Sequence, residues 1–506
     1  MGKRLIWAGM LLALVTGGTG HWALAAEPTG GGAAEGADEV AFPMKEMSIF
    51  EAASNASLLS DLTRGARAVT QKKPHEDVKA YPKLVSKKPI YGVVRLAPKP
   101  LDRESGTPYY FVVDESGESG KKEPAKEEPE EEEKEESSIL DTLSAALGMK
   151  KAARPVRPEP PKLNNTYDRL YLDLNGDLDL TNDPVITPMK EPPAGLVRRY
   201  SSMRQCVVFK ELTVPLDFGE ELGNRPVRLV PRLEVQEYEG EEYSGVGFMS
   251  AVARMGDIKF GDQSFQAVLA QRYTITGRYD NPFTGLLLTT KGDSNREHWW
   301  GADKLSAMRL VKGEYYTTAT TPLGDQLIVT RYQGATGVLK IDPGDRELDK
   351  CTIQGSLRSE GTAVAIGEPE PGRSTEPVSE CRLPIGDYLP AYVTIQYGTL
   401  QLGISNNYHA DGEPRGADSK SIYGIQIRED KPFVWDFSTP PEVMIASPAK
   451  DQTFHPGDEI TVNGVLVDPK LGIMIRRLTA KKSLDPKVTI TNAAGKQIAE
   501  GPMPFG

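Results

Sequence analysis

The chain has 506 residues, a formal net charge of −11 and 39% hydrophobic residues. That is length for about two to four domains and enough apolar content for true cores. The acidic balance argues against a nucleic-acid partner, which needs a basic face, and three cysteines (Cys206, Cys351 and Cys381) are too few for a disulfide framework.

Residues 1–25 read as an export signal. Lys3 and Arg4 form a charged start, Leu5 to Val15 an apolar core, and Ala23-Leu24-Ala25 a small-residue site for cleavage after Ala25. The apolar run is too short to span a bilayer, and no later segment is apolar enough. No cysteine follows it, which argues against a lipid anchor. Losing Lys3 and Arg4 takes the charge from −11 to −13. The chain is therefore expected in the periplasm, at the cell surface or secreted.

Residues 26–44, rich in Gly and acids, are expected to be a disordered linker. Residues 45–90 are expected to be a short helical segment. Ser48-Ile49-Phe50-Glu51 has the capping-box pattern and opens a helix through about Leu62, ended by Gly65.

From Tyr91 the texture turns to β-branched and aromatic runs bounded by turn formers. Residues 91–345 are expected to be one antiparallel β domain, with a disordered acidic insertion at 115–165 between two strands of one sheet. Lys121 to Glu136 holds nine Glu and four Lys, net −5, and such a block stays solvated. "SSILDTLSAALG" beside it places Ile139, Leu143 and Leu147 on one helical face. Hairpins are expected about Gly324-Asp325 and about Gly398. A second β module follows at 346–438. Helical periodicity is almost absent, so the fold class is mainly β: antiparallel sandwich or barrel modules with short helices.

Residues 439–506 resemble the Ig-like modules of exported bacterial proteins. The carriers are "SPAKDQTFHPGDE", an alternating strand at Ile460, Val462 and Val465, and a hairpin with Gly495 at its turn. Fewer strands are visible than the seven of a full Ig sandwich. Two readings fit: the segment completes its sheet with strands near "YGIQIREDKPFVWDF", burying Phe433 and Trp435, or the given sequence is shorter than the natural reading frame; the first is the leading expectation.

"YDRLYLDLNGDLDLTND", Tyr167 to Asp183, is the densest candidate site. Asp173, Asn175, Asp177, Asp179, Thr181 and Asp183 place an oxygen at every second residue. Laid on a twelve-residue calcium loop, Asp173, Asn175 and Asp177 fill the first three ligand positions, Asp179 the backbone-ligand position and Thr181 the one often bridged by water. Leu178 stands at the bend in place of Gly, and Pro184 where the bidentate Glu belongs, with Asp183 one residue away. Two readings fit: a weak calcium site, or an Asn-Gly/Asp turn that caps the strand "RLYLDL".

Trp299 and Trp300 adjoin in the polar loop "NREHWWGADK". Neighbours in an extended segment point oppositely, so one of them can stack on a sugar or a partner, or both can cover a sheet end. Cys351 and Cys381 flank one Gly/Pro/Ser-rich stretch and are the candidate disulfide, the other reading being buried thiols. His409, Asp411 and Glu413 alternate in "YHADGE", read as a solvated turn or a metal site. No zinc spacing, G-x-S-x-G elbow, P-loop or G-x-G-x-x-G occurs.

With "YDRLYLDLNGDLDLTND" go the pair "GDIKFGDQSFQAVLA" and "GEYYTTATTPLGDQLIVTRY", and the stretch "SPAKDQTFHPGDE". Together they resemble uncharacterised secreted proteins of planctomycete-type bacteria with a D-x-N-x-D loop. The resemblance implies no activity. Where such relatives carry acidic loops between the strands, this chain keeps Asp280, Asn281, Asp293 and Asn295 without regular spacing. The leading expectation is an exported, non-catalytic β-protein, structural or binding a protein or glycan partner at the cell envelope. The rival is a carbohydrate-active enzyme or carbohydrate-binding protein with an Ig-like accessory.

Overall fold

The computed structural model describes residues 39–503, except 55–57, 60–61, 98–104, 118–162, 164, 221, 239, 273–274, 282–283, 291–302, 343–350, 360–361, 367–377, 408–423, 450, 456, 459, 471–472 and 481. Residues 1–25, read above as an export signal, most of the acidic insertion with Ile139, Leu143 and Leu147, and also Trp299, Trp300, Asp293, Asn295 and the His409–Glu413 stretch lie outside these residues. The architecture is mainly antiparallel β, in several open sheets that pack as sandwiches, and no sheet of the described residues closes into a barrel. No helix among them is long and apolar enough to cross a membrane.

Contacts divide the chain into two units. One comprises 48–252 with 272–277. Its larger sheet runs Ala66–Arg67, Glu241–Ser250, Asn224–Tyr238, Met203–Val208, with Leu212–Asp217 also on Asn224–Tyr238. The long strand Asn224–Tyr238 accommodates two neighbours on one side because Leu212–Asp217 pairs with its first half and Met203–Val208 with its second. Alternation sorts its faces: Leu233 and Val235, with Val246 opposite Leu233 and Phe248 opposite Pro231, are fully buried. The smaller sheet runs Val69–Gln71, Ile90–Leu96, Thr107–Asp114, Arg169–Leu172. Its last two strands pair directly, Asp114 opposite Arg169, so the acidic segment connects adjacent strands of one sheet. Phe111 meets Phe248 edge-on at 5.8 Å, joining the two sheets through an aromatic pair.

The other unit comprises 1–47, 253–271 and 278–506. Phe260 packs edge-on against Phe265 and Tyr316, at 5.4 and 5.3 Å, in a core shared by two sheets. The turn at Gly324 joins Glu314–Thr320 to Gln326–Arg331. Gly398, at φ +54°, takes the left-handed backbone that a two-residue turn between Tyr397 and Leu400 requires. Phe433–Asp436 departs from the antiparallel rule, lying parallel to Thr336–Asp342.

Three expectations are corrected. Glu39–Pro43, assigned to the disordered linker, is a strand on Gln326–Arg331, with Phe42 packed on a core. Its partner lies in a distant part of the sequence, so composition carries no trace of it. Within 45–90, the described residues show strands, one 3-10 turn at Glu51–Ser54 and helical backbone at Leu58, Leu59 and Leu62, less helix than expected. The capping pair does form, Phe50 N–H donating to Ser48 Oγ at 3.2 Å and Ser48 N–H to Glu51 Oε1 at 3.5 Å, but strand pairing of the flanks overrides propensity. Third, the C-terminal strands do share a sheet with the preceding module, by a different route. Ile473–Thr479 pairs with Leu400–Asn407, and Asn463–Asp468 and Glu442–Ser447 follow outward. Trp435 is buried and Phe433 packs on the same core, on a separate sheet from these strands. Lys487–Thr491 and Gln497–Pro502 form the hairpin about Gly495.

Candidate functional site

Tyr167 opens the candidate stretch from a buried position. Its hydroxyl donates to the Lys88 carbonyl at 2.7 Å, and burial, then Glu115, pushes its pKa up to about 12. Arg169–Leu172 is a strand of the smaller sheet. Leu170 exchanges two main-chain bonds with Ile186, at 3.0 and 2.8 Å, so the chain that leaves the sheet after Leu172 returns beside it. Everything between is the oxygen-lined loop.

The period of two in its sequence is the period of a repeated turn. Asn175 Oδ1 accepts from Asp177 N–H at 2.9 Å, Asp177 Oδ1 from Asp179 N–H at 2.8 Å, and Asp179 Oδ1 from Thr181 N–H at 2.9 Å. Each side chain thus closes an Asx turn onto the residue two further on. Amides tie the rungs together: Asn182 Nδ2 and Asn175 Nδ2 donate to Asp177 Oδ2 at 2.7 and 3.0 Å. These bonds, the Asn182 one first, lower the Asp177 pKa.

Asp173 is the anchor. It is 2% exposed, and its two oxygens accept from Gly176 N–H at 2.9 Å and Leu178 N–H at 3.1 Å. Leu178 adopts φ +67°, a left-handed conformation that costs a non-glycine residue about 1 kcal/mol. The Asp173 bond holds its N–H, and its carbonyl accepts from Lys79 N–H at 2.8 Å. Leu180 N–H donates to the Ala80 carbonyl at 3.0 Å, and Lys79 Nζ to the Asp177 carbonyl at 2.8 Å. Asp183 closes the loop by accepting from Leu174 N–H at 3.1 Å. Its other oxygen is buried without a hydrogen-bond donor. Burial raises its pKa, and the charges of Asp173, Asp177 and Asp179 raise it further.

The structure therefore brings all six residues into one loop, where Asp173, Asn175, Asp177, Asp179 and Asp183 each accept from its main chain. Calcium needs six to eight oxygens converging on one point. Among the described residues no group of three or more His, Cys, Asp or Glu side chains gathers as a metal site requires. Along the loop these side chains build a turn ladder.

Spacing did not reveal the loop's neighbours. Asp77 Oδ2 accepts from Tyr110 OH at 2.7 Å and lies 3.4 Å from His75 Nδ1, while the His75 ring packs edge-on against Tyr110 at 4.7 Å. His75 N–H donates to Tyr81 OH at 2.8 Å. These contacts clamp the segment that receives the loop; His75 and Tyr110 are too far apart in sequence for any local signal.

Cys351 and Cys381 border one core, yet no disulfide joins the three cysteines. Burial pushes the Cys381 thiol up to about 12. Asp280 is engaged by Arg278 through two bonds of 3.0 and 2.6 Å, and Asn281 is buried. No family model, curated protein or solved structure matches the chain.

Proposed function

We propose that this chain is an exported, non-catalytic β-rich protein, a structural or binding component of the periplasm or cell surface. One observation carries the reading. The densest run of chemically active side chains, Asp173 to Asp183, works as scaffolding, with each carboxylate accepting main-chain N–H groups. A general acid or base must instead face a substrate with its proton-transferring atom. The leader-like residues 1–25 support export, and the Ig-like likeness of 439–506 supports a spacer or adhesive part.

Expression from the full reading frame, followed by cell fractionation and N-terminal sequencing, tests this. The expected result is an exported chain beginning at Ala26. An intact leader on a cytoplasmic protein would overturn it. Calcium is the second arm, favoured by the undonated Asp183 oxygen. Calorimetric titration at millimolar calcium is to be compared with the Asp173→Ala/Asp177→Ala variant. Heat lost in that variant supports an ion at the loop, and no heat in the parent leaves the turn alone.

A further inference from the structure

The larger sheet of the 48–252 unit has a core face and an outward face, and the outward one changes character along its length. Near Val230 and Met249, which are opposite each other, it is fully buried. Toward the turn joining Asn224–Tyr238 to Glu241–Ser250 it opens. Gln236 lies opposite Tyr243 and Tyr238 opposite Glu241, so all four side chains share this face. Tyr200 arrives from the preceding segment, its hydroxyl accepting from Gln236 Nε2 at 3.4 Å. Tyr200, Tyr238 and Tyr243 are 39%, 57% and 56% exposed. Three large rings left in water at one end of one sheet is a concentration that folding does not explain.

The platform is stiff. Met203 N–H donates to the Tyr200 carbonyl at 2.8 Å and Glu237 N–H to the Ser202 carbonyl at 2.8 Å, pinning the turn that carries Tyr200. Tyr238 and Tyr243 sit on paired strands as diagonal neighbours, about 7–8 Å apart. Beside Tyr243 the next position on this face is Gly245, opposite Glu234, where an added Cβ would meet nothing within 4 Å. The missing side chain leaves open surface next to the rings.

The chemistry of the face selects the occupant. Arg232 on this face is matched to Glu234 at 2.8 Å, and Arg198 reaches the same carboxylate at 3.5 Å. What remains for a ligand is the ring faces, the Gln236 amide and the Glu241 carboxylate. Aromatic faces take the C–H face of a pyranose, while an amide and a carboxylate take its hydroxyls. The Glu241 carboxylate repels acidic chains, and the bare glycine surface offers a protein partner no aliphatic anchor. We propose that this face, built on Tyr200, Tyr238 and Tyr243, binds a neutral polysaccharide. The inference rests on the reading of the chain as a binding component and names its partner class.

The test is affinity electrophoresis of the full chain in native gels containing hydroxyethyl cellulose, arabinoxylan or galactomannan, with polygalacturonate as the acidic counterpart. Retardation is expected in at least one neutral gel and not in polygalacturonate. Tyr200→Ala, Tyr238→Ala and Tyr243→Ala should each weaken it by about two- to tenfold, and the triple variant should lose it. Gly245→Val provides a second route, since it raises a branched side chain beside the rings at a position where the added Cβ meets open space. It should weaken retardation even if the tyrosine variants misfold. Retardation in no neutral gel, a preference for polygalacturonate, or a folded triple or Gly245→Val variant that binds as the parent does would overturn the proposal. So would a dimer that the triple variant loses without any glycan binding in the parent. Failure here leaves export untouched, because fractionation and leader cleavage are read without any polysaccharide.

Discussion

Asp173→Ala should be the most damaging single change in the oxygen-lined loop. The carboxylate is 2% exposed and accepts two main-chain N–H groups, from Gly176 and Leu178. A hydrogen bond to a charged group contributes about 1.5–3 kcal/mol. The partial exposure of both N–H groups puts the pair near the low end, at about 3 kcal/mol in total. Leu178 then keeps a left-handed backbone at φ +67° with less to hold it. For a unit of about 150–250 residues, each kcal/mol moves the melting point by about 2–4 °C, so a drop of about 6–12 °C is expected for the unit containing 48–252. The local effect is sharper. Hydrogen exchange of peptides covering 173–180 should accelerate in the variant, while peptides from 386–407 should not change. Asp173→Asn, which keeps one acceptor oxygen, should fall between. If exchange at 173–180 is unchanged in Asp173→Ala, the ladder does not hold the loop and the reasoning fails.

Asp183→Asn should stabilise the protein by about 1 kcal/mol at pH 7, because it replaces a buried oxygen that has no donor. The folded-state pKa of Asp183 is raised, so its favourable contribution is complete below the unfolded carboxylate pKa, about 4, and is lost as pH rises through the folded value. The gain from Asn should therefore shrink toward nothing in melts run below about pH 4; a gain independent of pH would contradict the assignment. Replacing 118–162 by a short Gly-Ser linker should leave the melting point nearly unchanged, since loop length changes closure entropy only slowly. Extending the deletion to 115–165 should destabilise, because Asn165 clamps the Cys206 main chain with bonds of 3.0 and 3.1 Å and Glu115 accepts from Thr166 Oγ1 at 2.8 Å; equal melting points for the two deletions would refute this. Cutting after Ser438 strips Ile473–Thr479 from Leu400–Asn407 and removes buried Ile473 and Ile475, about 3–6 kcal/mol of apolar burial. Both pieces should lose cooperative melting, and an isolated 441–506 fragment that folds alone would sink the idea.

Features set by a few adjacent residues were legible in the sequence. The turns at Gly324, Gly398 and Gly495 need positive φ, and glycine announces it. The strand–loop character of Tyr167–Asp183 was legible for the same reason, yet its alternation was ambiguous. An Asx-turn ladder and a cation loop both ask for an oxygen at every second residue, and only the direction of each hydrogen bond separates them. Features set by distant partners were not legible. Glu39 opposite Thr330, Gln401 opposite Thr479 and Leu339 beside Phe433 are pairings that no local pattern encodes. The exposed tyrosines were missed because "VQEYEGEEY" reads as an ordinary amphipathic hairpin; that Tyr238 and Tyr243 lie on its outward face, with Tyr200 beside them, depends on which side the core takes.

The smaller sheet shows how an acidic chain uses its carboxylates. Asp114 is fully buried, and its oxygens accept from Val85 N–H at 2.9 Å and Ser86 N–H at 2.8 Å. Asp168 accepts from Ser116 N–H at 2.6 Å. Asp173 does the same for Gly176 and Leu178. In each case an irregular segment that cannot join the ladder has its N–H groups satisfied by a carboxylate projecting from the sheet or its margin, where an unpaired buried N–H would cost about 1–3 kcal/mol. These acids are consumed by architecture. The outward end of the larger sheet differs in kind: Arg232 is already paired, the tyrosine rings stand in water on or beside paired strands, and the space at Gly245 is open. Rigid exposed aromatic surface lowers the entropic cost of capturing a ligand and supplies nothing to the core. A search for function in this chain therefore belongs on Tyr200, Tyr238 and Tyr243 before it belongs on the aspartates.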